Sequence, residues 1–141
     1  MQRGRRIAFD YGDVRIGVAT CDADAIICSP LVTLMAHDKN LQKQIKSIIE
    51  QYEPIAIYVG KPSHMDGRQS ESAVKASEFA QSLAAITSCP IELIDERLST
   101  VTATRNLRES GMSAKDSRAT IDQAAAVAIL EFALEIEKNR K

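Results

Sequence analysis

Cysteine is scarce in this chain and poorly spaced for structural chemistry: Cys21, Cys28 and Cys89 are odd in number and include no CxxC pair. They fit neither a disulfide framework nor a zinc site, and are expected as reduced, mostly buried thiols. Long apolar runs are also missing. None approaches the roughly 20 residues needed to cross a bilayer, so no membrane span is expected. Met1-Gln2-Arg3-Gly4-Arg5-Arg6 leads straight into a short strand pattern, without the apolar segment and small-residue cleavage site of a secretion signal. A cytoplasmic location is the resulting expectation. Excess positive charge is lacking too, the formal net charge being −1, which argues against a protein that holds nucleic acid chiefly through a large positive field. Any basic surface must be local. Arg105, Arg108, Lys115 and Arg118 against Glu109 and Asp116 make residues 105–118 such a segment. Three Phe and three Tyr leave little for a surface that stacks bases.

What is present is the composition of an ordinary globular domain, 45% hydrophobic and 26% charged over 141 residues. That length buries a core without staples, so a single domain over residues 1–141 is expected. Ile7, Phe9 and Tyr11 alternate with Ala8, Asp10 and Gly12, the period of a strand with one buried face. Gly12-Asp13 then separates this strand from the β-prone run Val14 to Thr20, which predicts a hairpin. A third strand is expected over Ala25 to Leu31. Leu41, Ile45, Ile48, Ile49 and Tyr52 recur at helical spacing, and Pro54 stops that helix before the apolar run Ile55 to Val59, read as a central parallel strand. Residues 60–67 are loop by their Gly, Pro and Asp-Gly content. A helix is expected from about Ser70 to Ile86, a strand over Ile91 to Ile94, and a helix from Ser99 or Thr100 to about Ser110. Ser113 with Asp116 resembles a capping box ahead of a last helix carrying Ile121 to about Lys138. This order predicts an α/β fold: a five-stranded mixed β-sheet with helices on both faces.

Chemistry in such sheets gathers at the carboxyl ends of parallel strands. Asp10 lies toward the end of the first strand and Asp95-Glu96 at the end of the last. Asp122 heads a stripe of Ala125, Ile129, Phe132 and Ile136, which turns its carboxylate toward the buried side of the last helix. A buried carboxylate costs several kcal/mol unless compensated, and metal ions or Arg118, one turn earlier, would supply the compensation. Three separated carboxylates without a His or Cys cluster favour a hard ion, Mg²⁺ or Mn²⁺ rather than zinc. A pair of such ions about 3.5–4 Å apart can activate water and hold a scissile phosphate, which suits phosphodiester hydrolysis. Successive strand residues point to opposite faces, so Asp95 and Glu96 are not equivalent, and the pattern alone does not choose between them. Lys61 and Arg97, beside the predicted site, and Arg118 are candidates to bind nucleic-acid phosphate. Each acid also has a plain structural reading: Asp10 as a turn residue, Asp95-Glu96 as a polar strand end, Asp122 as a first-turn helix acid facing Arg118.

Taken in order, four motifs resemble the YqgF/RuvX family. They are Phe9-Asp10-Tyr11-Gly12 with Arg15-Ile16-Gly17-Val18-Ala19; Val59-Gly60-Lys61-Pro62 with Met65-Asp66-Gly67; Asp95-Glu96-Arg97-Leu98-Ser99-Thr100; and Ile121-Asp122 with Ala124-Ala125 and Ile129-Leu130. The resemblance spans the chain. It implies an RNase H-like fold similar to that of Holliday-junction resolvases of the RuvC type, and an association with maturation of the 5′ end of pre-16S rRNA. It also implies that Asp10, Glu96 and Asp122 occupy the acidic positions, catalytic and metal-binding, with Asp95 as a supporting neighbour. The departures are Lys61 where Leu is usual, Ser63-His64 where Leu-Asn is usual, and Asp13-Val14 in the hairpin turn.

The expected function is thus a metal-dependent nuclease acting on precursor rRNA, with a junction resolvase acting on branched DNA as the alternative. A resolvase that cuts two symmetric strands would be expected to act as a two-fold dimer. Two other classes fit less well. Asp10-Tyr11-Gly12 on a hairpin also resembles the first phosphate loop of ATP-binding phosphotransferases, but that group closes two lobes around nucleotide and this sequence has one, so no specific ATP binding is expected. A non-catalytic nucleic-acid-binding module lacks the charge and aromatic residues noted above.

Overall fold

The structure is a computed structural model that describes residues 2–61, 71–96 and 114–140, apart from the side chains of residues 72 and 114–120. Strands β1 (Arg6–Tyr11), β2 (Arg15–Cys21) and β3 (Cys28–Met35) form an antiparallel meander, followed by helix α1 (Leu41–Tyr52). Strand β4 (Ala56–Lys61), helix α2 (Glu71–Ala84), strand β5 (Ile91–Asp95) and the long helix α3 (Ala114–Asn139) complete the described elements. The strand order is β3-β2-β1-β4-β5, with β1, β4 and β5 parallel. This is the five-stranded mixed sheet expected from the sequence. The helix expected from about residue 99 to 110 and the proposed cap at Ser113 lie outside the described residues.

Strand alternation divides the core in two. Ile7, Phe9, Ile16, Val18, Ile57 and Val59 project to one face, where Ile45 of α1 and Ala76, Phe79, Ala80 and Leu83 of α2 cover them. Phe79 packs edge-on against Phe9, with ring centres 5.5 Å apart, and lies against Tyr11. Ala8, Ala19, Cys21, Tyr58 and Ile94 project to the other face, which α3 covers with Ala125, Ala126, Ala128, Ile129, Leu130, Ala133 and Leu134. Four of those seven α3 residues are alanines, so the helix axis can come close to the sheet.

Helix α1 ends as its sequence predicts. Glu53 adopts a left-handed conformation and donates its backbone N–H to Ile49 O, and Pro54 bars continuation. The third strand, expected over Ala25 to Leu31, instead starts at Cys28 and runs to Met35. The reason is Asp22, whose carboxylate accepts the backbone N–H groups of Ile26 and Ile27 at 2.7 and 2.8 Å and closes a turn with Ala25 at positive φ. The same bonds, Ile27's first, hold the Asp22 carboxyl below the usual carboxylate range. Apolar Ile26 and Ile27 are thus exposed in a loop. The strand then passes through Pro30, which is tolerated because β3 lies at the sheet edge. Helix α3 begins at Ala114, directly after the Ser113 that the sequence offers as its cap, and carries Ile121 to Lys138 as expected.

The three cysteines are free, as expected, but only Cys21 is fully buried. Burial and the neighbouring Cys21 push the Cys28 thiol up to about 12, so neither it nor Cys21, also raised by burial, is a reactive thiolate at neutral pH.

The far end of α3 is fixed by a buried charge. Arg6 is 1% exposed and pairs in a fork with Glu137, Nη2 to Oε1 at 2.9 Å and Nε to Oε2 at 3.2 Å. It also donates to Gly4 O and Gln2 O, and Tyr58 donates its hydroxyl to Glu137. Burial, then the Glu137 bond, raises the Tyr58 phenol well above its ordinary range, so it stays protonated as that donor. Glu137→Ala leaves the Arg6 guanidinium buried without its carboxylate, and should lower stability by about 3 kcal/mol. Urea denaturation would measure this, and an unchanged midpoint would show that the two backbone carbonyls suffice.

Candidate active site

Asp10 lies one residue before the end of β1, is 4% exposed, and shares the alternation of Ala8, so it faces α3. Its antiparallel partner on one side is Gly17 of β2. On the other side the parallel register Phe9↔Val59 brings Gly60 next to it. Asp10 is thus flanked across the sheet by two glycines, and each admits a different part of the chain. A Cβ on Gly17 would run into the backbone carbonyl of Asp122 and lie 3.0 Å from the backbone nitrogen of Gln123. One on Gly60 would meet Ile129 and lie 2.9 Å from Glu96 Oε1. The missing side chains let the Asp122 turn of α3 settle beside Asp10 from one direction and the Glu96 carboxylate from the other.

Alternation also separates the two acids that the sequence left paired. Ile94 faces α3, and Glu96, two residues on, is 5% exposed with its carboxylate over Gly60. Asp95 shares the alternation of Leu93, which packs on the opposite face, and is half-buried. Lys61 is the cross-strand partner of Asp95 and lies on that same opposite side. Arg97 and the side chain of Arg118 lie outside the described residues, as do residues 62–70 and the side chains of the basic segment 105–118.

Asp122 is held from a direction the sequence reading missed. Arg15, at the start of β2, donates Nε to Asp122 Oδ2 at 2.9 Å, with the two side chains 28% and 18% exposed. One residue further, Gln123 Nε2 donates to Thr33 Oγ1 at 3.0 Å. Thr33 is the cross-strand partner of Gly17, so the helix turn is docked on Arg15, Gly17 and Thr33 together. The expected counter-charge was a metal or Arg118. The signal for Arg15 was available, since it shares the alternation of Gly17 and Ala19 and so projects toward α3. Asp10, Asp95, Glu96 and Asp122 each make further interactions.

All candidate donors here are carboxylate oxygens, the set that suits Mg²⁺ or Mn²⁺. Among the described residues no three acidic, His or Cys side chains are gathered closely enough to hold an ion as they stand. A guanidinium already sits against one of the acids, so the surface accepts positive charge.

The sequence profile of the RuvX family, described as Holliday junction resolvase, matches residues 4–136. A protein of Streptomyces avermitilis is 48% identical over 140 residues, covering 98% of this chain and 90% of its own length; its name, given provisionally, is pre-16S rRNA nuclease. Proteins of Streptomyces coelicolor and Mycobacterium ulcerans carry the same provisional name, each 46% identical, over 98% and 92% of this chain and 84% and 77% of their own lengths. Among solved structures, Thermus thermophilus RuvC in complex with a Holliday junction substrate superposes with a TM-score of 0.57 at 15% identity, over 96% of each chain. A second Thermus thermophilus RuvC structure gives 0.53 at 14% identity, over 95% of this chain and 96% of its own. At these identities the likeness establishes the RNase H-like fold.

The two glycines provide a direct check on the site's construction. Gly60→Ala should cost about 1–3 kcal/mol, because Ile129 and the Glu96 carboxylate can rotate away from the new methyl. Gly17→Ala should cost more, since its methyl meets helix backbone that cannot move without lifting α3. Urea melts of the two variants would rank them, and a neutral Gly17→Ala would contradict the docking of α3 described above.

Proposed function

The chain belongs to the RuvX family, and from that premise we propose that it is a metal-dependent nuclease, a hydrolase that cuts phosphodiester bonds at the 5′ end of pre-16S rRNA. The observation that supports this reading is that Asp10, Glu96 and the Asp122 turn of α3 lie toward the same face of the sheet, where Gly60 and Gly17 on either side of Asp10 leave room for the Glu96 carboxylate and the Asp122 backbone. The whole chain, residues 1–141, acts as one nuclease domain in the cytoplasm. None of its described helices is long and apolar enough to cross a membrane.

In this reading Asp10, Glu96 and Asp122 hold one or two Mg²⁺ or Mn²⁺ ions, which when bound supply water activation and stabilise the leaving oxygen. The protein's own part is positional. Asp10 and Glu96 are buried at the carboxyl ends of β1 and β5, so their carboxylates would need little ordering when an ion binds. Ile129, fully buried against Gly60, lines the inner side of the site with hydrocarbon. Asp95 and Lys61, on the other side of the strand ends, support the site from its rim. Lys61, Arg97 and Arg118 bind the nucleic-acid backbone, supplying local positive charge in a chain of net charge −1.

The family's description favours a second substrate, branched DNA. Purified protein incubated in parallel with precursor rRNA and with a four-way junction would separate the two, and the primary reading expects the RNA to be cut.

Hydrolysis should stop in excess chelator and return with Mg²⁺ or Mn²⁺. Asp122→Asn keeps the shape and removes the charge, and it should lower cleavage by more than about 100-fold, since loss of even an outer-shell metal partner costs about 10- to 100-fold. Because that substitution also weakens a partly exposed ion pair with Arg15, stability should fall by no more than about 1 kcal/mol. Cleavage assays and melts on the same preparation check both, and cleavage retained by Asp122→Asn would remove Asp122 from the site.

A further inference from the structure

Arg15 has so far figured only as a partner that holds Asp122 in place. It starts β2, directly after the β1–β2 turn, on the same sheet face as Asp10. Its Nε contacts Asp122 Oδ2 at 2.9 Å, and 28% of the side chain remains exposed. A purely structural ion pair at this position would be a poor investment, because partly exposed pairs contribute only about 0.2–1 kcal/mol. The helix turn it touches is already docked through Gly17 and through the Gln123–Thr33 hydrogen bond.

We propose that Arg15 exchanges partners during the reaction: it neutralises Asp122 in the ion-free protein and gives up that carboxylate when a divalent ion binds, turning to a substrate phosphate. The proposal rests on the carboxylate–metal reading of the site and adds to it a residue that couples ion loading to substrate binding. Two physical arguments support it. A guanidinium and a divalent cation compete for the negative charge of one carboxylate, and the ion carries the larger charge. A guanidinium released at a partly exposed site presents a planar fork of donors that matches phosphate geometry. Swinging from Asp122 to a phosphate requires only side-chain torsions, and the backbone of β2 remains held by β1 and β3 on either side. The arrangement also gives an order of events: Asp122 is kept neutralised until the ion arrives, and the phosphate-binding fork is released only then.

The test uses Arg15→Gln, which keeps a hydrogen-bonding side chain and removes the charge, and Arg15→Lys, which keeps the charge without the fork. Titration calorimetry with Mn²⁺ alone, in the absence of nucleic acid, measures the competition. Loss of a pair worth up to about 1 kcal/mol should tighten Mn²⁺ binding by Arg15→Gln about two- to fivefold, with Arg15→Lys near the parent. Binding of a single-stranded RNA oligonucleotide spanning the 5′ end of pre-16S rRNA is then measured in Ca²⁺ over a range of salt. Arg15→Gln should bind it more weakly, with a log–log salt slope shallower by roughly one. If Arg15 merely braces Asp122, its removal should leave Mn²⁺ affinity unchanged or weaken it, and that result overturns the proposal while sparing the metal site. An unchanged salt slope overturns it as well. No saturable Mn²⁺ binding by the parent protein would remove the carboxylate–metal reading and this inference with it.

Discussion

The close approach of helix α3 to strand β2 at Gly17 is the constraint on which the rest of the structure depends. Without a side chain at that position the Asp122 backbone rests directly on the sheet, where a Cβ would collide with its carbonyl. The alanines of α3 extend the same close contact along the helix, over Ala8, Ala19 and Tyr58. At the far end, the buried Arg6–Glu137–Tyr58 network fixes the helix along its length. The helix is therefore pinned at the turn of Asp122 and again at Glu137, and the turn beside Asp10 carries the acid.

The same economy of side chains operates on the other flank. Gly60 leaves room for Ile129 and for the Glu96 carboxylate, so strand β1, the residue just after β5 and a turn of α3 each present an acid toward the same face of the sheet. Among the described residues, one compensating charge there comes from across the sheet. Buried carboxylates repel one another and are costly to desolvate, and the described counter-charge at Asp122 is a single arginine reaching from the neighbouring strand. A surface assembled in this way favours any cation that can approach it.

Much of this was legible in the chain before its coordinates. The alternation of Ile7, Phe9 and Tyr11 against Ala8 and Asp10 gave the face of Asp10, and the helical spacing from Asp122 to Ile136 gave the turn of Asp122 toward the sheet. The five-stranded mixed sheet followed from the succession of elements. Two things were not legible. Ile26 and Ile27 look like strand residues in the sequence, and only the Asp22 carboxylate, folding back on their N–H groups, reveals a turn that delays the start of β3. The sequence offers a metal ion or Arg118 as the partner of Asp122, because helical neighbours are visible in a sequence and cross-element neighbours are not. Arg15 is 107 positions away. The choice between Asp95 and Glu96 rested on family resemblance, and strand alternation with the burial of Glu96 supplies a physical reason for it.

Diffraction from crystals grown with Mn²⁺ and measured at wavelengths where manganese scatters anomalously would test the central claim most directly. The account predicts an anomalous peak on the α3 face of the sheet, within bonding distance of carboxylate oxygens of Asp10, Glu96 and Asp122, with the Arg15 guanidinium withdrawn from Asp122. A peak bound by Asp95 on the opposite face, or manganese found only at unrelated surface acids, would contradict it.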